Sequence, residues 1–530
     1  MDHNAGIEVS MQYAVNSSQM KLLDQTTIQE IHIPSMVLME RAAYSVAQVV
    51  MNRATKQDKI LAVCGSGNNG GDGIAIARIL YSLGYQAEIL LIGKREKMTL
   101  ETSQQYEIAM NLGLSIRTET NLIEYTIIID SIFGIGLCKE VQGEYYDIIS
   151  QINDQRGRAY IYAVDLPSGI SADSGQILGA AVVANETITF EEMKLGLLLY
   201  PGAYCAGKIE VAKIGILPMK KQEVQPKDTF LYYEPEDVKR LLPLRPEYSN
   251  KGTFGKVLVI AGSKQVTGAS YLSAYAAYRM GVGLVKILTA KEAIPVLQQL
   301  LPEALFAPYD DDNFREELSQ TLFWADAVVI GPGIGVSECS NQLLEEVIHT
   351  LKNKVKENTP LVIDADALNL LSEGMNKGKI GMKERYRYLN SKLPNNCILT
   401  PHILELSRLN LLSVNKITGN FIDIASDCTY NSELIYVLKD ARTIVTSQNL
   451  RYINVSGNNA MATGGSGDIL SGMIAALLAR GIGKEEAATL GVYVHGLAGE
   501  LAKERLGADS VLARDIIEAL PEVLKNYGRE

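Results

Sequence analysis

A glycine-rich turn that runs directly into an apolar helix, at residues 455–481, most constrains the fold of this chain. The turn reads Thr463-Gly464-Gly465-Ser466-Gly467-Asp468, and the mostly apolar segment after it ends at Gly481. Glycine commonly supplies the left-handed residue with which a helix ends. Since the first N–H groups of a helix have no partner within it and lie at the positive end of the helix dipole, we expect Gly464–Gly467 to bind a phosphate.

Asp468, at the end of this turn, indicates more than anion binding. A carboxylate weakens a simple anion site, but beside a phosphoryl group it can accept the proton of an attacking hydroxyl. Alternatively, Asp468 caps the helix in a tight turn and has no chemical role. The turn by itself leaves both interpretations open.

The rest of this half alternates strand and helix patterns, which predicts an α/β domain. Buried-strand patterns occur at 256–260, 327–330, 361–368, 398–402 and 442–446. The second is followed by the loop Gly331–Gly335, and the third contains Asp364 and Asp366. Ligands of such folds bind at the carboxyl ends of the strands, so a binding site is expected there.

The string Asn459-Ala460-Met461-Ala462-Thr463-Gly464-Gly465-Ser466-Gly467-Asp468 resembles the anion hole and catalytic aspartate of ribokinase-like enzymes, and is most similar to that of the ADP-dependent NAD(P)H-hydrate dehydratases. The resemblance extends from about residue 234 to the C-terminus and implies a ribokinase-like α/β domain with Asp468 as the catalytic base. It further implies that the hydrated nicotinamide nucleotide contacts Ala269, Gly335, His402 and Asp468. The implied ADP site, with Mg²⁺ accompanying the nucleotide, consists of Lys439, Asp440, Ala441, Arg442, Thr443 and Gly467.

In the first half, the strand pattern 59–64 leads into a glycine string, Gly65–Gly73, followed by a helix to Leu83 and a second strand at 87–92. The glycines fit the dinucleotide-binding fingerprint of dehydrogenases. That fingerprint requires an acidic residue at the end of the second strand, which here ends Leu91-Ile92-Gly93. The pattern therefore favours a parallel βαβ unit of another kind.

Two more strand patterns of this half end in a carboxylate. The segment 125–129 leads into Asp130, and the segment 160–164 leads into Asp165. Each Asp could simply cap a turn or a helix. Their coincidence with an Asn-rich glycine string favours a ligand site at one edge of a parallel sheet.

The motifs at 67–73, 130–136, 164–169, 187–190 and 194–197 together resemble the NAD(P)HX epimerase domain, over about residues 15–217. The resemblance implies a Rossmann-like three-layer αβα domain with Asp165 as the catalytic residue, and a K⁺ site built from Asn69, Asp130 and Ser168. The implied substrate pocket consists of Asn68, Asn69, Gly70, Gly71, Asp72, Gly134, Ile135, Gly136, Leu137, Cys138, Lys139, Glu140 and Asp165.

The chain departs from these families at four places. Lys139 replaces an expected Arg, Glu191 and Asp440 each replace a usual Gly, and the Pro-Gly expected after His402 is missing. Judged from the residues alone, His402 has an alternative interpretation as an imidazole at a strand end that caps a backbone carbonyl. The segment 371–393 is predicted to be a basic surface segment that is longer than usual for the family.

The length of 530 residues predicts more than one domain. We expect a polar tail at 1–14, an epimerase domain at 15–219, a polar, proline-marked linker at 220–233 and a dehydratase domain at 234–530. The net charge of −11 argues against a nucleic-acid partner, because no basic stripe is available to neutralise phosphates.

The composition predicts a cytoplasmic protein. The sequence has no basic and apolar leader of the signal-peptide kind at its start and no apolar run near the roughly 18 residues needed to span a bilayer. Its six cysteines are scattered, without Cys-x-x-Cys spacing, which is typical of reduced core residues.

Together the two resemblances imply an enzyme that repairs hydrated nicotinamide cofactors. One half would interconvert the R and S epimers of NADHX and NADPHX, and the other would dehydrate the S epimer at the expense of ADP. Two alternatives stay open: a vitamin or sugar kinase built on the second half, and a first half that binds nucleotide without turnover. We expect small-molecule partners only, no membrane, and a homo-oligomer.

Overall fold

The computed structural model describes residues 11–217, 229–309, 314–353, 359–430 and 432–528. These residues divide into two compact units, an N-terminal unit of residues 13–217 and a C-terminal unit of residues 229–528. Both units are α/β, as predicted. Of the predicted linker, residues 220–228 lie outside the described residues, as do residues 1–10 of the predicted tail.

Parallel strands form the centre of the N-terminal unit. The strands are β1 (Gln12–Val15), β2 (Lys59–Cys64), β3 (Gln86–Leu91), β4 (Ile116–Arg117), β5 (Ile127–Ser131), β6 (Tyr160–Val164), β7 (Glu186–Phe190), β8 (Met193–Lys194) and β9 (Lys208–Ala212). The sheet has the order β4-β3-β2-β5-β6-β7-β9, and β1 pairs with β8. Val63 pairs with Asp130, which pairs with Ala163, so the ends of β2, β5 and β6 meet at one edge.

Helices cover both faces of this sheet. They are α1 (Ser17–Gln29), α2 (Ser35–Arg53), α3 (Asn68–Ser82), α4 (Leu100–Asn111), α5 (Glu144–Asp154), α6 (Leu195–Leu198) and α7 (Gly202–Ala206). Strand β2 is apolar along almost its whole length because alternate residues enter different cores: Ile60, Ala62 and Cys64 pack on one face, and Leu61 and Val63 on the other.

The strands of the C-terminal unit are mostly parallel. They are β10 (Phe230–Tyr232), β11 (Lys256–Ile260), β12 (Leu284–Ala290), β13 (Leu305–Tyr309), β14 (Ala327–Ile330), β15 (Leu361–Ile363), β16 (Cys397–Leu399), β17 (Ile435–Leu438), β18 (Ile444–Thr446) and β19 (Arg451–Ile453). Their order is β13-β12-β11-β14-β15-β16-β17-β18-β19-β10. Only β18 runs antiparallel to its neighbours among these described strands.

The helices of this unit include the apolar helix predicted from the glycine-rich turn. They are α8 (Pro235–Leu241), α9 (Gly268–Arg279), α10 (Ile294–Leu300), α11 (Phe314–Trp324), α12 (Glu338–Asn353), α13 (Asp366–Lys377), α14 (Met382–Lys392), α15 (Ile403–Asn410), α16 (Val414–Gly419), α17 (Phe421–Cys428), α18 (Ser466–Ala479), α19 (Lys484–Leu506) and α20 (Ala513–Tyr527). Helix α18 packs so closely on α9 at Gly472 that a Cβ there would lie only 2.1 Å from the Ser273 carbonyl oxygen. Only glycine therefore fits at this position.

Several local predictions need correction. Helix α3 begins at Asn68, so most of the predicted glycine loop 65–73 is helical. Part of the predicted linker forms β10, and part of the predicted tail forms β1. The segment 371–393 is mainly helical, and its Arg385 is buried, donating to the carbonyls of Arg408 and Leu409 at the end of α15. Because Arg385 is one of several basic residues in this segment, the sequence did not distinguish it as the one that caps α15.

The cysteines also differ in part from their predicted places. All six are free thiols, as expected, but Cys138 is exposed and Cys339 only partly buried. Among the described residues, no helix has the length and apolar character to cross a membrane.

Candidate active sites

A cavity of about 750 Å³ lies at the carboxyl edge of the N-terminal sheet. The predicted site residues that line it are Asn68, Asn69, Asp72, Gly134, Ile135, Gly136, Leu137, Cys138, Lys139 and Asp165. Gly70, Gly71 and Glu140 do not line it. A Cβ at Gly70 would lie 1.8 Å from the Gly65 carbonyl oxygen, so that glycine allows the turn to pack against the start of α3.

Asp165 is held in a constrained position inside this cavity. It follows β6 with a left-handed backbone (φ 67°), which is uncommon for a residue other than glycine and marks strained functional positions. The Lys194 ammonium lies 2.7 Å from Asp165 Oδ1, and the Thr189 hydroxyl donates to the same oxygen at 3.2 Å. A Cβ at Gly134 would lie 3.4 Å from Asp165 Oδ2, so the second oxygen lies beside a residue without a side chain.

Asp72, near the start of α3, is a second carboxyl group in the cavity. Burial raises its pKa well above the ordinary value, and the charges of Asp165 and Asp24 raise it further. Lys194 and Asp24 also line the cavity. Neither residue was predicted as a site residue from the sequence. Lys194 stands at the start of the motif 194–197, but its contact with Asp165 depends on the pairing of β6 and β7.

Asp130 is fully buried beside the cavity. The Ser168 hydroxyl and backbone N–H donate to its two oxygens at 2.5 and 2.7 Å. No Lys, Arg or His forms an ion pair with Asp130 among the described residues, and burial raises its pKa to about 6. Asn69 nearby has a buried side-chain nitrogen without a partner. An uncompensated buried carboxylate surrounded by oxygen donors fits a hard monovalent cation.

The structure explains why Glu191 can stand where the family usually has glycine. Glu191 has a left-handed backbone (φ 59°), the conformation for which glycine is usual. Its buried carboxylate accepts from the N–H groups of Ile214 and Gly215, both at 3.0 Å. The side chain therefore stabilises a loop that glycine could not hold in the same way.

In the C-terminal unit, Asp468 lies in the first turn of α18. Gly465 precedes the helix with a left-handed backbone (φ 94°), and no side chain caps the helix. The alternative of Asp468 as an N-cap is therefore wrong. Burial raises the pKa of Asp468 to about 7, with Asp364 adding to the effect and Lys439 opposing it. A carboxyl group that titrates near neutral pH suits proton abstraction.

Lys439 and Asp364 form a buried ion pair beneath this turn, with 2.7 Å between Nζ and Oδ1. A Cβ at Gly467 would lie 3.2 Å from Lys439 Nζ, so glycine allows the ammonium to approach the helix N-terminus. Asp364 Oδ2 is buried and has no hydrogen-bond partner. The structure thus brings together Gly467, Asp468 and Lys439 of the predicted residues, and adds Asp364.

His402 forms an isolated β-bridge with Lys439, whereas Gly335 reaches this site through Asp366. His402 Nδ1 accepts hydrogen bonds from the N–H groups of Leu404 and Glu405, so the ring caps the N-terminus of α15. The alternative in which the ring caps a backbone carbonyl is therefore wrong. Helix α15 starts at Ile403, so the two positions where Pro-Gly is missing lie in its first turn. Gly335 N–H donates to Asp366 Oδ2 at 2.9 Å. Asp366 in turn raises the pKa of Asp468.

The remaining predicted nucleotide residues form the turn between β17 and β18. Arg442 donates to the Val455 carbonyl at 2.6 Å, and the Thr443 hydroxyl to the Asp440 carbonyl at 3.4 Å. Asp440 does not have a left-handed backbone, so the replacement of glycine there creates no strain. Ala269 lies in the first turn of α9, where a Cβ at Gly333 would come within 3.0 Å of its methyl group.

Two family models match the chain: "NAD(P)H-hydrate dehydratase" over residues 257–522 and "YjeF-related protein N-terminus" over residues 35–196. The chain is 33% identical to the bifunctional NAD(P)H-hydrate repair enzyme Nnr of Thermofilum pendens over 525 residues, covering 96% of this chain and 95% of that one. It is 35% identical to Nnr of Coxiella burnetii over 509 residues, covering 95% and 97%. The chain belongs to the bifunctional NAD(P)H-hydrate repair enzyme family.

Family membership confirms the predicted fold class of two α/β domains, the second of them ribokinase-like. Among solved structures, the ADP/ATP-dependent NAD(P)H-hydrate dehydratase of Bacillus subtilis matches with 28% identity and a TM-score of 0.47, covering 56% of this chain and 98% of that one.

Glu405 and His495 are further groups near the second site that the sequence analysis did not single out. Burial raises the pKa of Glu405 to about 7, with Lys439 opposing the effect and Asp364 adding to it. His495 lies in the middle of α19, where burial lowers its pKa to about 4, and its Nε2 lies 3.4 Å from the Ser466 hydroxyl. Apolar neighbours on both sides in the sequence gave His495 the pattern of a core residue.

Proposed function

We infer that this protein repairs hydrated NADH and NADPH, interconverting the R and S hydrates in its N-terminal unit and dehydrating the S hydrate with ADP in its C-terminal unit. The observation that carries the proposal is one buried carboxylate at the ligand edge of each unit. Asp165 lies in the N-terminal cavity, and Asp468 lies at the glycine-rich start of α18. A vitamin or sugar kinase is not favoured, because the repair-enzyme relatives cover nearly the whole chain.

Dehydration needs a better leaving group than hydroxide. We propose that Asp468 takes the proton of the hydroxyl on ring carbon 6 while that oxygen attacks the β-phosphorus of ADP and releases AMP. The ring-nitrogen lone pair then expels phosphate as the C6–O bond breaks, and loss of a proton from carbon 5 restores NADH or NADPH. The N–H groups at Gly464–Gly467 stabilise the charge on the transferring phosphoryl group.

We propose that Lys439 contacts the nucleotide phosphates. Its ammonium lies under Gly467, and its pairing with Asp364 fixes the side chain in one position. Mg²⁺ fits this side of the site, since Asp364 Oδ2 has no partner and Glu405 is a second buried carboxylate nearby. These two residues would hold the ion, which supplies neutralisation of phosphate charge when it binds with ADP.

Epimer exchange requires proton transfer at the hydroxyl of the same ring carbon, because a bond at that carbon must break and form again. Asp165 Oδ2, on the cavity side, is the group we assign to this transfer. K⁺ held by Asn69, Asp130 and Ser168 would balance the Asp130 charge and fix the loops beside the substrate. Epimer exchange that is unchanged when tetramethylammonium replaces K⁺ would contradict a functional ion.

The test is an assay of the purified full chain with mixed hydrate epimers and ADP, with ATP and no nucleotide as comparisons. Hydrate absorbance should convert to that of reduced cofactor only with nucleotide, releasing one AMP and one phosphate per ADP consumed. Accumulation of a stable phosphorylated acceptor without reduced cofactor would instead identify a kinase.

We place the enzyme in the cytoplasm, where its cofactors are used and its six free thiols stay reduced. A homo-oligomer stays a prediction. Sedimentation of the purified chain tests it directly.

A further inference from the structure

The N-terminal cavity contains a buried lysine, Lys194, to which no role has yet been assigned. The Lys194 side chain is 1% exposed, yet it lines the cavity. Burying an ammonium group is costly unless strong acceptors compensate it. Here its Nζ has two: Asp165 Oδ1 at 2.7 Å and the Phe190 carbonyl oxygen at 2.6 Å.

These contacts make the two oxygens of Asp165 unequal. Oδ1 receives both the Lys194 ammonium and the Thr189 hydroxyl. Oδ2 lies towards Gly134 and Asn69, since a Cβ at Gly134 would be 3.4 Å from both Asp165 Oδ2 and Asn69 Oδ1. One oxygen is thus anchored in the protein, and the other is left for a ligand in the cavity.

The charges that face this pair come from several elements. Asp72 on α3 faces Asp165, and Asp24 on α1 faces Asp72. On the other side, Glu192, next to β8, interacts with Lys194 and Lys213. Asp165 therefore has acidic neighbours, and the Lys194 ammonium is the cation within ion-pair distance of it among the described residues.

We propose that Lys194 is a positioning residue of the epimerase site, which anchors Asp165 through Oδ1 and directs its Oδ2 at the substrate. The inference rests on the epimerase activity proposed above. Lys194 acts through Asp165 and need not touch the substrate. Its removal should leave a carboxylate without its paired cation and free to rotate.

The test compares Lys194→Met with Lys194→Arg and wild type in the full chain, by following epimer exchange against pH. Lys194→Met should lower kcat for exchange about 10²-fold at neutral pH, with little change in KM, as for loss of a proton-transfer group. The acid limb of its pH–rate profile should move to higher pH by roughly 1 to 3 pH units, the usual effect of losing one opposite charge a few ångströms away. Lys194→Arg should keep the limb near that of wild type.

A matched control is Lys208→Met, which removes the exposed lysine paired with Glu186 at 2.6 Å on the same sheet. It should leave both rate and profile unchanged. Thr189→Val should lower the rate and move the limb less than Lys194→Met does, because it removes a hydrogen bond to Asp165 but no charge. If Lys194→Met does not fold, as judged by melting and by loss of ADP-dependent dehydration, Lys194→Gln gives the same comparison.

A lowered rate with an unmoved acid limb would overturn the proposal and reduce Lys194 to a packing role. Absence of epimer exchange in wild type itself would instead contradict the proposed function. The two failures are therefore distinguishable in one set of measurements.

Discussion

Asp468 is a carboxylate that the fold keeps partly protonated at neutral pH. Burial at the start of α18 and the charge of Asp364 raise its pKa from 3.8 to about 7, despite the opposing charge of Lys439. The same environment that makes it a better base also makes its ionised form expensive to bury.

Asp468→Asn should therefore abolish nucleotide-dependent dehydration. The amide keeps the shape of the side chain but cannot accept a proton, and loss of a general base costs about 10²- to 10⁴-fold in rate. The measurement is the rate of reduced-cofactor formation from the S hydrate with saturating ADP. Asp509→Asn, at an exposed position in the same unit, is the matched control. Near-normal turnover in Asp468→Asn would rule out Asp468 as the base.

The raised pKa also predicts a pH-dependent stability. Between about pH 4 and pH 7 the folded protein holds a proton on Asp468 that the unfolded chain has released, so the stability contributed by this group falls as pH rises through that window. Asp468→Asn carries no such penalty. Thermal unfolding should thus show the variant more stable than wild type at pH 8, with the difference vanishing near pH 4. A variant less stable than wild type at pH 8 would contradict the raised pKa.

At the scale of elements, the sites are built where strands end and glycine-rich helices begin. This much is predictable from sequence, because buried strands and glycine strings are local patterns. Asp130, Asp165 and Asp468 were predicted as site residues in this way. Lys194 and Asp364 were missed as site residues because their roles depend on partners far along the chain, 75 residues apart for Asp364 and Lys439.

The start of α3 shows another limit of the sequence. The residue types at 68–73, asparagine, aspartate and glycine, are typical of loops, yet this segment forms the first turns of α3. The helix is favoured because its glycines allow contacts that a side chain would block, with Gly65 O at Gly70 and Ser131 at Gly73. Such tertiary packing overrides the low helix propensity of glycine and asparagine.

The junction of β17 with the N-terminus of α18 gives a test at this scale. Gly467→Ala places a methyl group 3.2 Å from Lys439 Nζ, which is closer than an ordinary contact and must displace the ammonium or the helix turn. We expect weaker ADP binding and dehydration slowed by about 10-fold or more, since small displacements in a preorganised site cost as much. Isothermal titration with ADP measures the first effect.

The control for Gly467→Ala is Gly374→Ala in α13, where an added Cβ would meet no atom within 4 Å. That variant should bind ADP as wild type does, and its helix should be slightly stabilised. Equal ADP affinity in all three proteins would show that the contact between Gly467 and Lys439 does not matter for the nucleotide.

At the scale of the whole molecule, each unit contains its own sheet, glycine-rich helix start and buried carboxylate. The C-terminal unit contains the groups that we propose for phosphoryl transfer, and the N-terminal unit contains a cavity lined by Asp165 and Lys194. We therefore propose that the two activities of this chain use separate sites. An epimerase beside a dehydratase that accepts one epimer makes the whole hydrate pool repairable.

Asp165→Ala in the full chain, supplied with mixed epimers and ADP, tests this claim most directly. The variant should convert the S hydrate at the wild-type rate and then slow to the rate of spontaneous epimer exchange, giving a fast phase and a slow phase in reduced-cofactor absorbance. Asp468→Asn should show the reverse, with equilibrated epimers and no reduced cofactor. If Asp165→Ala slows the first phase as severely as Asp468→Asn does, the two carboxylates serve one shared site and the account is wrong.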